Sequence, residues 1–224
     1  MDRLPPLPRN QRLHPGFSAG PGILTPLKTL HLDPVRLARL DDYAALLREW
    51  NRRVNLVSRR DVERVRSYHI PDSLAAERFL PRDCRAADIG SGGGLPGIPL
   101  AIARPDCRMY LVESVGKKAE FLAAALDRLR LVNTRVIHSR AEEIPPLACD
   151  VVLSRLTGPL RTTLPRLADH CHPDGSIVLF KNPTAAEPLP AGLLRRLALA
   201  VADTVDLRLA PGGIPRRFIL LRPR

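Results

Sequence analysis

The chain has 224 residues, 45% of them hydrophobic, which suits one substantial core with a small appended lobe. No apolar run approaches the ~20 residues that cross a bilayer, and the first residues lack a signal-peptide core. The net charge of +12 favours phosphate-bearing partners over a merely solvated surface, and the expected setting is the cytoplasm.

Taken in chain order, residues 1–30 hold several prolines and Arg3, Arg9, Arg12 and Lys28 without periodicity, and read as a disordered tail. Asp33-Pro34 then reads as an N-cap followed by proline at the first helical position. Leu37, Leu40, Ala44, Leu47 and Trp50 line one face of a helix ending near Arg52. Residues 53–59 break it, two shorter helical segments fill 60–80, and residues 31–82 together read as a helical cap. Beyond it, at 83–224, strands are expected at 84–89, 108–113, 134–139, 149–154, 175–181, about 200–209 and 216–222. Helices are expected between them at 96–103, 117–131, 159–171 and 185–198. Such alternation means an α/β fold, a mainly parallel seven-stranded sheet with helices on both faces. The last two strands are joined too tightly for a helical crossover and should be antiparallel.

The most informative run is Asp88-Ile-Gly-Ser-Gly-Gly-Gly-Leu-Pro-Gly97, between a buried strand and a helix. Strand, glycine loop and helix bring backbone N–H groups against a nucleoside-like ligand. Read from the strand end, Asp88, Gly90, Gly92 and Gly94 form an acid-preceded loop that suits a ligand with an amino-acid tail and no pyrophosphate. Read from Gly92, a dinucleotide pattern also fits formally, which keeps a nicotinamide-dependent oxidoreductase as an alternative. Glu113, about twenty residues on, stands where ribose hydroxyls are accepted.

Other groups carry weaker signals. Arg140 and Arg155 follow strands at the edge where ligands enter open α/β sheets, and arginine suits bidentate binding of phosphate. His69 and Asp72 read as structural, a helix start or the hinge holding the cap against the glycine loop, rather than an acid/base pair, and His138 as a packed strand residue. Cys84, Cys107, Cys149 and Cys171 lack metal spacing and read as reduced and structural, so no metal is expected. Arginines are concentrated at 36–66, nine against five acids, and at 208–224, five against none. Arg52-Arg53 and Arg59-Arg60, bordering the cap, read as contacts for a phosphate-bearing partner, while Lys117-Lys118 is balanced between a solvated face and a contact with that partner. Aromatics, at 4%, supply no stacking platform, so shape and phosphate should dominate recognition.

Five ordered motifs, Trp50-Asn51…Asn55-Leu56, His69-Ile-Pro-Asp72-Ser73-Leu, Asp88–Pro99, Ser139-Arg-Ala-Glu142-Glu and Ser154-Arg155, resemble the bacterial RsmG (GidB) family. The resemblance runs from about Leu37 to Lys181. It implies a Rossmann-like class I methyltransferase fold and transfer of a methyl group from S-adenosylmethionine to guanine N7. The target would lie in small-subunit (16S) ribosomal RNA near the decoding centre. It further implies that Gly90 and Leu95 contact the cofactor, that Ala141-Glu142 meet its adenosine end, and that Arg155 faces the reacting region. The partner would be ribosomal RNA or a small-subunit precursor, met by a monomer. Departures at Leu156-Thr157-Gly158 and at Lys181-Asn182-Pro183, where the family has Lys-Gly, both fall at the substrate edge. They leave a non-enzymatic RNA-binding protein as a further alternative, with Lys181 beside Arg155 and Arg140 as substrate-positioning candidates.

Overall fold

The structure, a computed structural model, describes residues 22–23, 32–155, 158–183, 188–208 and 215–224. Apart from Gly22–Ile23, the segment 1–30 that was read as a tail lies outside the described residues. Its strands are β1 Gly22–Ile23, β2 Arg85–Ile89, β3 Arg108–Glu113, β4 Thr134–His138, β5 Cys149–Ser154, β6 Cys171–Lys181, β7 Leu199–Arg208 and β8 Pro215–Pro223. They form one sheet in the order β1-β7-β8-β6-β5-β2-β3-β4. Strands β2 to β6 pair in parallel, whereas β8 runs antiparallel to both β6 and β7, as the short connection between them requires. The two-residue β1 adds an eighth strand, parallel to β7, to the seven expected.

The helices are α1 Pro34–Trp50, α2 Ile70–Leu74, α3 Gly97–Ala103, α4 Gly116–Leu129, α5 Leu160–His170 and α6 Ala191–Arg196. A 3-10 turn at Val62–Arg64 and a π-helical turn at Val65–His69 lead into α2. Asp33 caps α1, its Oδ1 accepting the Arg36 N–H at 2.8 Å, with Pro34 in the first turn. The buried stripe of α1 is Leu40, Tyr43, Ala44 and Leu47; Leu37 and Trp50, also expected on it, are half-buried.

Period-two alternation splits the core between the two faces of the sheet. Ala86, Met109, Leu111, Val151, Leu153, Val178, Phe180, Phe218 and Leu220 face α1, α2, α3 and α4 in one cluster. Ala87, Ile89, Val112, Val152, Ile177, Leu179, Ile219 and Leu221 face α5 and α6 in the other. Residues 40–80 contribute Tyr43, Leu47, Ile70, Leu74 and Phe79 to the first cluster, so the N-terminal helices share the hydrophobic core of the sheet. Phe79 meets Phe218 at 5.5 Å between ring centroids, and Phe218 meets Phe180 at 4.8 Å.

Some element boundaries differ from expectation. Strand β6 begins at Cys171 rather than 175, because α5 stops at His170 and the chain enters the sheet at once. The helix expected over 185–198 is only Ala191–Arg196 among the described residues, since residues 188–190, including two prolines, are not helical and β7 starts at Leu199. His138, expected to be packed, is exposed at the end of the edge strand β4. The four cysteines are far apart in sequence, yet Cys84 and Cys107 face each other with sulfurs 2.9 Å apart, and Cys149 is registered with Cys171.

Candidate active site at the strand C-termini

Because β2 to β6 are parallel, Ile89, Glu113, His138, Ser154 and Lys181 end on one edge of the sheet, where α/β folds bind ligands. The glycine loop turns at that edge. Gly90, Gly92 and Gly94 have φ values of +75°, +56° and +82°. A Cβ on Gly92 would meet nothing closer than the Gly90 carbonyl at 3.9 Å, so the face of the loop at Gly92 is open. The opposite holds at Gly97, where a Cβ would fall 2.2 Å from Leu111 Cδ2 and 2.9 Å from Asp88 Oδ2. Glycine there lets α3 seat directly on the sheet.

Glu113 organises this loop. Its Oε2 accepts the Gly92 N–H and its Oε1 the Val115 N–H, both at 2.8 Å, and the residue is buried. The carboxylate expected to meet a ribose therefore also fixes the glycine loop and the entry to α4. Each oxygen keeps a second lone pair for a further donor. Asp88 lies beneath the loop with no exposure. Its Oδ2 accepts the Gly97 N–H at 3.0 Å, whereas Oδ1 is buried without a hydrogen-bond partner. Burial pushes its carboxyl up to about 7, against the opposing pull of the Gly97 N–H and Arg155.

Tyr43, absent from the sequence-derived candidates, reaches the loop from α1. Its hydroxyl donates to the Gly93 carbonyl at 2.5 Å, and its burial raises the phenol well above its usual value. Its position three residues after Leu40 and four before Leu47 was a legible signal. The next segment approaches the same glycine from another side. Asn51 Oδ1 accepts the Leu56 and Val57 N–H groups at 2.9 and 3.0 Å, curling residues 51–57 so that a Gly93 Cβ would touch Leu56 at 3.4 Å. This gives physical sense to the Trp50-Asn51…Leu56 spacing. Arg52, Arg53, Arg59 and Arg60, on and just after this curl, are exposed, Arg53 lying 4.0 Å over the Trp50 ring.

The His69–Leu74 motif forms a buried polar cluster. Asp72 has no exposure and contacts two arginines. Arg216 grips it with Nε on Oδ1 at 2.6 Å and Nη2 on Oδ2 at 3.0 Å, while Arg155 Nη2 stands 3.4 Å from Oδ2. Arg155 also reaches Ser73 Oγ at 3.4 Å and His69 Nδ1 at 3.1 Å. An Nδ1 that accepts from guanidinium leaves the proton of the neutral ring on Nε2, which faces Asp61 Oδ1 at 3.3 Å. Burial, and then Arg155, hold the His69 imidazole below its usual value. Arg216 gave no individual signal in the sequence, because nothing there relates residue 216 to residue 72.

The remaining candidates lie outside the hydrogen bonds and ion pairs of Asp72. Ala141 is buried, and its carbonyl receives His170 Nε2 at 2.9 Å, while His170 Nδ1 accepts the Leu147 N–H at 3.3 Å. Sequence reading missed this histidine, which holds the turn after β4 against α5. Glu142 is exposed and paired with Arg166 at 2.9 Å, and Arg140 is exposed beside Glu143 at 3.8 Å. Leu95 is buried under the loop, Lys181 is half-buried at the end of β6, and Lys117 and Lys118 sit in the first turn of α4. Residues 156–157 lie outside the described residues.

Comparison with known proteins gives this edge a family. A family model described as "rRNA small subunit methyltransferase G" matches residues 36–192. The chain is 42% identical over 200 residues to the ribosomal RNA small subunit methyltransferase G of Aromatoleum aromaticum, covering 86% of this chain and 92% of that protein. Its counterpart from Halorhodospira halophila is 35% identical over 182 residues, covering 81% and 84%. In fold, the chain is similar to a SAM-dependent methyltransferase from Aquifex aeolicus, with a TM-score of 0.53 at 17% identity over 67% of this chain and 88% of that one. It is also similar to a Burkholderia thailandensis N-methyltransferase solved with S-adenosylhomocysteine, with a TM-score of 0.55 at 20% identity over 82% and 90%. The chain belongs to the rRNA small subunit methyltransferase G family of S-adenosylmethionine-dependent enzymes.

Proposed function

We propose that this chain methylates guanine N7 of small-subunit ribosomal RNA, near the decoding centre, in the bacterial cytoplasm. The observation that carries this reading is that Arg155 follows β5 at the same sheet edge as the glycine loop, against which the arginine-bearing segment packs through Leu56. The residues fit S-adenosylmethionine on their own chemistry. Gly92 leaves an open cradle, Glu113 has acceptor capacity for hydroxyls, and the orphaned Asp88 Oδ1 suits a donor or cation. When bound, the cofactor supplies an electrophilic methyl group on a sulfonium centre.

Guanine N7 carries its own lone pair, so no protein base has to remove a proton before attack. That agrees with a buried His69 engaged by Arg155 rather than aimed at an open face. The protein then acts mainly through alignment, which can supply roughly 7–11 kcal/mol. The glycine loop and Glu113 would hold the cofactor, with the Ala141 turn at its adenosine end. Arg155 would hold a phosphate or guanine O6, since a hydrogen bond to N7 itself would block the reacting lone pair. The exposed arginines would hold the flanking backbone by charge.

Tritium transfer from labelled S-adenosylmethionine to ribosomal RNA of cells lacking the endogenous enzyme tests the reading, with mass-spectrometric mapping of the modified base. The expected product is a single N7-methylguanosine in 16S RNA. Tight RNA binding without transfer would favour a binding protein on this fold, and methylation elsewhere would refute the assigned target.

A further inference from the structure

We propose that Arg216 is a positioning residue that frees Arg155 for substrate by neutralising the buried Asp72 carboxylate when Arg155 lets go of it. This inference rests on the functional reading above. Arg216 opens β8 and lies beyond residues 36–192, the span matched to the family. Register places its neighbour Arg217 beside Lys181, so Arg216 stands at the same edge as the end of β6.

The two arginines hold Asp72 unequally. Arg216 makes a two-pronged grip at 2.6 and 3.0 Å, and its Nη2 also donates to the Tyr68 hydroxyl oxygen at 2.6 Å. Arg155 touches one oxygen of Asp72, at 3.4 Å, and its other polar partners there are the neutral Ser73 hydroxyl and His69 ring. A bidentate guanidinium–carboxylate pair is the stronger bond, and a buried carboxylate left with no cation is strongly disfavoured. With Arg216 in place, Arg155 can turn from Asp72 towards an RNA phosphate or base oxygen without orphaning that charge. Without Arg216, the contact with Arg155 would be the remaining ion pair of Asp72 among the described residues, and low-dielectric attraction would clamp Arg155 there.

The test measures kcat for methyl transfer to small-subunit ribosomal RNA at saturating S-adenosylmethionine, on protein shown to be folded. Arg216→Gln should lower kcat at least about tenfold, and Arg216→Lys should restore most of the loss. In an Asp72→Asn background, where no carboxylate can clamp Arg155, the same Arg216→Gln change should cost less than about twofold. A merely structural Arg216 would lower thermal stability in both backgrounds and leave kcat per folded molecule unchanged, which overturns the inference. Equal losses of kcat in both backgrounds overturn it too. Should Arg216→Gln fail to fold, Arg216→Lys carries the test, with a partial loss expected beside Asp72 and none in the Asp72→Asn background. A wild-type protein that transfers no methyl to ribosomal RNA would overturn the functional reading and this inference together, whereas an active wild type with an unaffected Arg216→Gln variant would overturn this inference alone.

Discussion

Two carboxylates under one loop are set in opposite ways. Glu113 accepts two backbone N–H groups, while Asp88 has one such bond and one bare oxygen in a fully buried site. For Asp88 the sign of the pH effect follows from its raised value of about 7, against about 4 in an unfolded chain. Between those values the folded protein keeps a proton that the unfolded chain has lost, so this group's stabilisation is full below about pH 4 and falls as pH rises through 7. Asp88→Asn cannot titrate. Its unfolding free energy relative to wild type should therefore climb by an amount on the order of a few kcal/mol across that window. Urea unfolding midpoints of both proteins from pH 4 to 8 check this; parallel curves would mean that Asp88 is ionised throughout. Glu113→Ala removes an acceptor from the Gly92 N–H of the loop and the Val115 N–H before α4, besides any ribose contact, and should weaken S-adenosylhomocysteine binding by about 1–3 kcal/mol. Unchanged affinity in calorimetric titration of a folded variant would end the ribose assignment.

At the scale of elements, α1 braces the glycine loop through one hydroxyl. Tyr43→Phe keeps the packing and orphans the Gly93 carbonyl unless water enters, at a cost of about 1–3 kcal/mol. Thermal unfolding should show that loss, and affinity for S-adenosylhomocysteine should drop with it as the loop loosens. A Tyr43→Phe protein of wild-type stability would mean that the carbonyl finds another donor. What the sequence made legible follows from which interactions are local. The period-two strands, the Asp33 cap and the glycine loop are each written within a few neighbouring residues, so their types and order were readable. Strand β6 and the short α6 were misjudged at their ends because tertiary pairing, more than propensity, decides where a strand starts. The Asp72–Arg216 grip joins residues 144 positions apart, and only the completed sheet brings them together. His69 and Asp72 stood out in the sequence, but their partners did not.

Across the whole molecule the positive charge is divided unevenly between used and free cations. Arg216 and Arg217 are engaged with Asp72 and Asp206, so part of the basic cluster at 208–224 is internal. In the N-terminal cluster Arg48, Arg64 and Arg66 pair with Glu63, Asp61 and Asp41. Among the described residues, Arg52, Arg59 and Arg60 are exposed with no such partner, and Arg53 stacks on Trp50. Within the N-terminal cluster these four therefore offer exposed charge to a polyanion, on the segment that also contacts the glycine loop. Each phosphate they neutralise should steepen the fall of RNA affinity by about 0.7–0.9 log units per tenfold rise in salt. Cofactor binding against backbone groups should scarcely respond to salt. Replacing Arg52, Arg53, Arg59 and Arg60 together by Gln should flatten the RNA salt slope by about three units and leave S-adenosylhomocysteine affinity in place. Fluorescence anisotropy with a small-subunit ribosomal RNA fragment at several salt concentrations gives the slope directly. A quadruple variant with the wild-type slope would move the RNA surface away from this loop, towards the exposed Arg222 and Arg224 at the C-terminal end of β8.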